Sequence, residues 1–135
     1  MPLVGENRTL VKYGLTVLSK ARRVGMKAML TQAGIWPPKK GKELSLGTYE
    51  IGFVLAPRLN AAGRMDHANA AFAALMAEDE GEAMRLAEKL EQTNRERQVL
   101  TEKIVAEAVK QIGDVARNVP QVLVAYDPEW SIGVA

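Results

Sequence analysis

The run Leu55-Ala-Pro-Arg-Leu-Asn-Ala-Ala-Gly-Arg-Met65 sets Arg58, Asn60 and Arg64 among small and apolar residues. A guanidinium binds phosphate or carboxylate through paired N–H groups, and a carboxamide both donates and accepts. Small neighbours let a ligand or another backbone come close. The chemistry on offer is the gripping of phosphate or of backbone polar groups. Two uses fit these residues: a phosphate or nucleic-acid clamp, and a helix–helix contact in which the arginines meet carbonyls or carboxylates.

Other candidates are thinner. Trp36 precedes Lys39, Lys40 and Lys42, a set that could stack one base and hold a phosphate backbone. A solvated basic loop explains the same residues. Trp130 and Ser131 lie near Gly133 and suit a tight turn. A metal-dependent hydrolase needs several Asp, Glu or His ligands converging on one point. This chain has a single histidine, His67, and its neighbour Asp66 reads more simply as a helix cap. GxSxG, Walker and HExxH patterns are absent, and no serine has a neighbouring histidine to activate it. No catalytic residue and no metal ligand is expected in this stretch.

Composition narrows the class. The 135 residues are 47% hydrophobic but only 5% aromatic, so the expected core is aliphatic, alanine-rich and helical. There is no cysteine, hence no disulfide and no thiolate metal site. No apolar run reaches the roughly 20 residues that span a bilayer, and no signal-peptide pattern opens the chain. A soluble, cytoplasmic protein is the expectation. The net charge of +2 hides an asymmetry: residues 1–64 hold 11 basic and 3 acidic side chains, and residues 65–135 hold 7 and 13. A basic half suits a polyanion such as nucleic acid, although two unlike solvated faces would look the same.

These side chains need elements to position them. Leu10, Gly14, Leu15 and Leu18 form one stripe of a helix over 7–20, with Asn7 as its cap. A second helix runs over about 26–33, ending at Gly34. Prolines and glycine make Trp36–Lys42 a basic loop. Thr48 caps a helix through Leu55, and Pro57 kinks it or opens the next one. On that next helix Asn60 and Arg64 share a face, with Arg58 about 120° away from Arg64. Gly63 is expected to end it, and Asp66 to cap an alanine-rich helix over 67–76.

Asp79-x-x-Glu82 opens the longest element, a helix over about 82–112. Its apolar residues sit at its two ends, Leu86 to Leu90 and Leu100 to Ile112. The middle, Glu91 to Gln98, has no apolar side chain, which suits an exposed strut between two bodies. Glu91 and Arg95 are spaced to pair along it. The apolar ends would let two copies of the fragment associate. Val122 to Tyr126 reads as one buried strand whose sheet partners lie elsewhere. A segment cut inside its second domain is therefore expected.

Pro2 to Leu15, Ile51-Gly-Phe53, Ala56 to Met65, Asn94-Arg-Glu-Arg-Gln98 and Trp130-Ser-Ile-Gly-Val134 together resemble the RecJ family of single-stranded-DNA-specific exonucleases, in the family's order. The resemblance implies a DHH phosphoesterase whose amino-terminal domain holds Mn²⁺ or Mg²⁺ on Asp and His ligands. A long helix then leads to a DHHA1 domain, with the DNA strand in the cleft between. On that plan residues 1–50 are the helical tail of the DHH α/β domain, 51–118 the helical connector, and 119–135 the truncated start of DHHA1. The implied fold of this piece is mostly α. The implied role is phosphate and DNA contact by Arg64, Arg58 and Asn60, with Trp130, Ser131, Lys39 and Lys40 as further contacts. The metals would be held outside this piece. Ser131 stands where many members have histidine, so no role of that histidine carries over. Two other readings remain, a non-catalytic nucleic-acid-binding helical module and a purely structural connector. Salt-sensitive binding of oligonucleotides by the isolated chain would favour the first, and a flat titration the second.

Overall fold

The structure is a computed structural model that describes residues 3–65, 69–113, 123–131 and 133–134. Its elements are helical: α1 (Gly5–Leu18), α2 (Val24–Gln32), a π-helix (Glu50–Leu55), α3 (Ala56–Met65), α4 (Asn69–Met76) and α5 (Glu80–Ile112). The described residues contain no strand. They fall into two compact units, Met1–Asn94 and Arg95–Ala135.

In the first unit α2 packs on α4, and α4 on α3. Its core is aliphatic, as composition predicts: Met29, Leu30, Leu46, Leu55 and Leu90 are buried with Ala62, Ala74, Ala83 and Ala87. Alanines at the crossings let helix backbones approach closely. The tightest approach uses Gly25, where an added Cβ would lie 1.9 Å from the carbonyl oxygen of Ala74. At the end of α2, Gly34 takes φ +71°, the left-handed residue that closes a helix. The peptide bond between Trp36 and Pro37 in the loop that follows is cis.

Several expected boundaries shift. Helix α1 starts at Gly5, and Val4 rather than Asn7 is the cap, without a side-chain bond. None of its residues is buried, and Leu10, Tyr13 and Val17 stand exposed. Gly63 does not end α3, which continues to Met65. The expected cap Asp66 and the residue His67 lie outside the described residues. Asp79 does open α5 as predicted: its Oδ1 accepts the Glu82 amide at 2.8 Å. That bond satisfies one of the amides a helix start leaves unpaired.

The middle of α5 is not a bare strut. Glu91 and Asn94 are buried, at 9% and 2% exposure. Its amino-terminal apolar residues Ala83, Ala87 and Leu90 already belong to the first unit's core, so that end is covered and not free to pair with a second copy.

In the second unit, Leu123 to Tyr126 form no regular element, because a strand needs a neighbour for its ladder. A side chain substitutes for one. Gln111 Nε2 donates to the Tyr126 carbonyl at 3.1 Å, and the Tyr126 amide donates to Gln111 Oε1 at 3.2 Å. Asp127 then closes a turn, its carbonyl accepting the Trp130 amide at 3.2 Å and its carboxylate the Glu129 amide at 2.8 Å.

Candidate nucleic-acid interface

The site is built around α3, and its local geometry starts from Pro57. Proline has no amide hydrogen, and its ring clashes with the carbonyl four residues back in a regular α-helix. The chain meets this with the wider π-helix Glu50–Leu55, after which α3 carries Pro57 as its second residue. The kink and the new helix foreseen as alternatives thus merge into one π-to-α junction. Ahead of it, Glu50 Oε2 accepts the Gly47 amide at 2.7 Å. Tyr49 and Phe53 stack on this segment, with ring centroids 5.2 Å apart.

Arg58 turns inward. Its Nη1 donates to the Val54 carbonyl at 2.6 Å. Its Nε lies 2.5 Å from Glu91 Oε2, and the two side chains are only 16% and 12% exposed. The contact is electrostatic, without the alignment of a linear hydrogen bond. Burying such a pair costs hydration on both sides, and removing one partner leaves a buried charge. This is the second of the two uses open to these arginines, a helix–helix contact through a carboxylate. It ties α3 to α5 inside the first unit.

Asn60 is on another face of α3 and is exposed, as is Gly63. Arg64 occupies the position one turn after Asn60, so the shared register expected from spacing holds. Arg58 and Asn60 therefore lie on different faces of one helix, and Arg58 is engaged by the protein itself.

The remaining candidates are dispersed. Lys39 and Lys40 are exposed in the loop after α2. Trp36 is not a bare platform: it packs against the core, and Lys27 Nζ sits 5.6 Å from its ring centroid. In the second unit the Trp130 indole N–H donates to Glu107 Oε2 at 2.8 Å, and Ser131 is exposed. Among the described residues no three His, Cys, Asp or Glu side chains gather as a metal site would require. No described helix is long and apolar enough to cross a membrane.

Sequence reasoning missed Glu91. It was readable only as a partner for Arg95 along its own helix, because pairing across helices leaves no spacing signal. A glutamate inside the one α5 stretch lacking apolar residues, yet beside the core residue Leu90, was the available hint.

No protein-family model matches the chain. The single-stranded-DNA-specific exonuclease RecJ of Bacillus subtilis is 35% identical over 134 residues, which is 99% of this chain and 16% of that protein. RecJ of Escherichia coli is 34% identical over 138 residues, 99% of this chain and 23% of that protein. Among solved structures, Thermus thermophilus RecJ in complex with Mg²⁺ matches with a TM-score of 0.77 at 32% identity, covering 99% of this chain and 20% of that one. An exonuclease RecJ bound to manganese matches with a TM-score of 0.76 at 33% identity, over 98% of this chain and 31% of that one. The chain spans about a fifth of the length of the curated relatives it matches. In sequence and in fold, over nearly its whole length, it is a RecJ-like segment.

Proposed function

We propose that the protein carrying this chain is an exonuclease that hydrolyses single-stranded DNA from the 5′ end, in recombination and repair. One observation supports the reading: nearly all of the chain aligns, in order and in three dimensions, with proteins named as single-stranded-DNA-specific exonucleases. In this reading residues 1–50 are the helical tail of the DHH domain, 51–118 the connector, and 119–135 the start of DHHA1. The metal centre is formed by residues outside this chain, and Mn²⁺ or Mg²⁺ supplies the Lewis-acid chemistry there. Solved relatives carry those ions.

This segment contributes grip and spacing. Asn60 and Arg64 contact phosphate and sugar of the strand, fixing its register without reading sequence. Lys39 and Lys40 add exposed positive charge, and Trp130 and Ser131 are further contacts. Helix α5 serves as the strut of the connector.

The test is made in the full-length protein. Arg64→Ala or Asn60→Ala should lower kcat/KM on a single-stranded oligonucleotide by about tenfold, as loss of a charge-assisted contact does. Unchanged kinetics in both variants would remove α3 from the interface. Replacing Lys39 and Lys40 together should reduce the slope of log affinity against log salt by roughly 1.4, about 0.7 per lost phosphate contact on a single strand.

A further inference from the structure

We propose that Glu91 is a positioning residue for the DNA-binding face of α3, acting through Arg58. The inference rests on the reading above, in which Asn60 and Arg64 touch the strand. It assigns Arg58 to support instead of phosphate contact.

Pro57 is the second residue of α3, which follows directly on the π-helix. A helix that passes from π to α geometry at a proline lacks the amide hydrogen that would stitch the junction. Side chains must hold it. Arg58 does so by reaching back one turn to the Val54 carbonyl, the last turn of the π-helix. A guanidinium can make that bond and meet a carboxylate at once, because its donors form a rigid fork. Glu91 takes the other side of the fork from α5. The result is a three-point brace: π-helix carbonyl, α3 guanidinium, α5 carboxylate. It fixes how far α3 is rotated about its own axis relative to α5. Asn60 follows Arg58 by two residues, about 200° around the helix, so a brace on the inner face sets the aim of the outer one. Binding groups held to within a small fraction of a contact distance are what single-strand grip requires. The pair is also ill suited to phosphate binding, since a strand would have to strip a mostly buried arginine from its carboxylate.

Three variants of the full-length protein test this. Arg58→Met with Glu91→Met replaces the buried ion pair by apolar side chains of similar size, which tends to preserve or raise stability. It should melt no lower than the wild type, yet raise KM for a single-stranded oligonucleotide about tenfold with kcat within about twofold, the signature of misplaced binding groups. Glu91→Gln, checked for native helicity by circular dichroism, should shift KM the same way and serves if the double variant does not fold. Wild-type KM in either folded variant overturns the proposal. Asn60→Ala separates the two readings: if it raises KM while the brace variants do not, the brace alone falls. If none of the three moves KM, the interface reading falls with it.

Discussion

Gly25 on α2 lies so close to Ala74 on α4 that a methyl group at Gly25 would sit 1.9 Å from the Ala74 carbonyl oxygen. A backbone atom cannot swing away as a side chain can. Gly25→Ala should therefore push the two helices apart and destabilise the first unit by about 3 kcal/mol, the upper range for overpacked cores. Chemical denaturation of the chain checks this, and a midpoint equal to the wild type would show that the crossing is looser than described.

Asp79 closes the start of α5 with one carboxylate–amide bond. Asp79→Ala should cost about 1 kcal/mol, the usual value of such a cap. Asp79→Asn should retain most of it, because the side-chain oxygen still accepts. Comparing the two melting curves separates the hydrogen bond from the charge.

Gln111 holds Tyr126 through both of the latter's backbone groups. Gln111→Ala should release them, speeding hydrogen exchange at the Tyr126 amide by about five- to tenfold for a bond with a net value near 1 kcal/mol. Gln111→Glu keeps an acceptor for the amide but sets a carboxylate against the carbonyl. It should protect the amide only partly.

The Trp130 indole N–H is bound to Glu107, whose other oxygen lies 3.8 Å from Lys103 Nζ. Glu107→Gln keeps an acceptor for the indole while deleting the charge. It should leave Trp130 emission close to that of the wild type, whereas Glu107→Ala should shift emission as the ring loses its anchor. Equal spectra for all three proteins would mean that Glu107 does not hold the ring in solution.

Much of this fold is legible in residue order because its signals are local. Gly34 closes α2, the prolines break the chain after Trp36, and Asp79 starts α5, each through a constraint acting within one turn. The register of Asn60 and Arg64 follows from helical period alone. What escapes is non-local. Glu91 finds Arg58 across helices, so neither position signals the other, and a polar stretch that looked fully solvated is partly buried. Gly63 misleads in the opposite direction: glycine permits a helix end without requiring one, and α3 continues past it. The segment after Pro120 carries a strand's composition from Leu123 to Tyr126, but composition cannot supply a partner.

The clasp between Gln111 and Tyr126 also dictates parity. Along an extended chain, neighbouring residues aim their peptide groups to opposite sides, and every second residue shares a side. Gln111 occupies the side used by Tyr126. Were the segment drawn out as a strand, Val124 would share that side, and a neighbouring strand could add only along the opposite margin, through the peptide groups of Leu123 and Ala125.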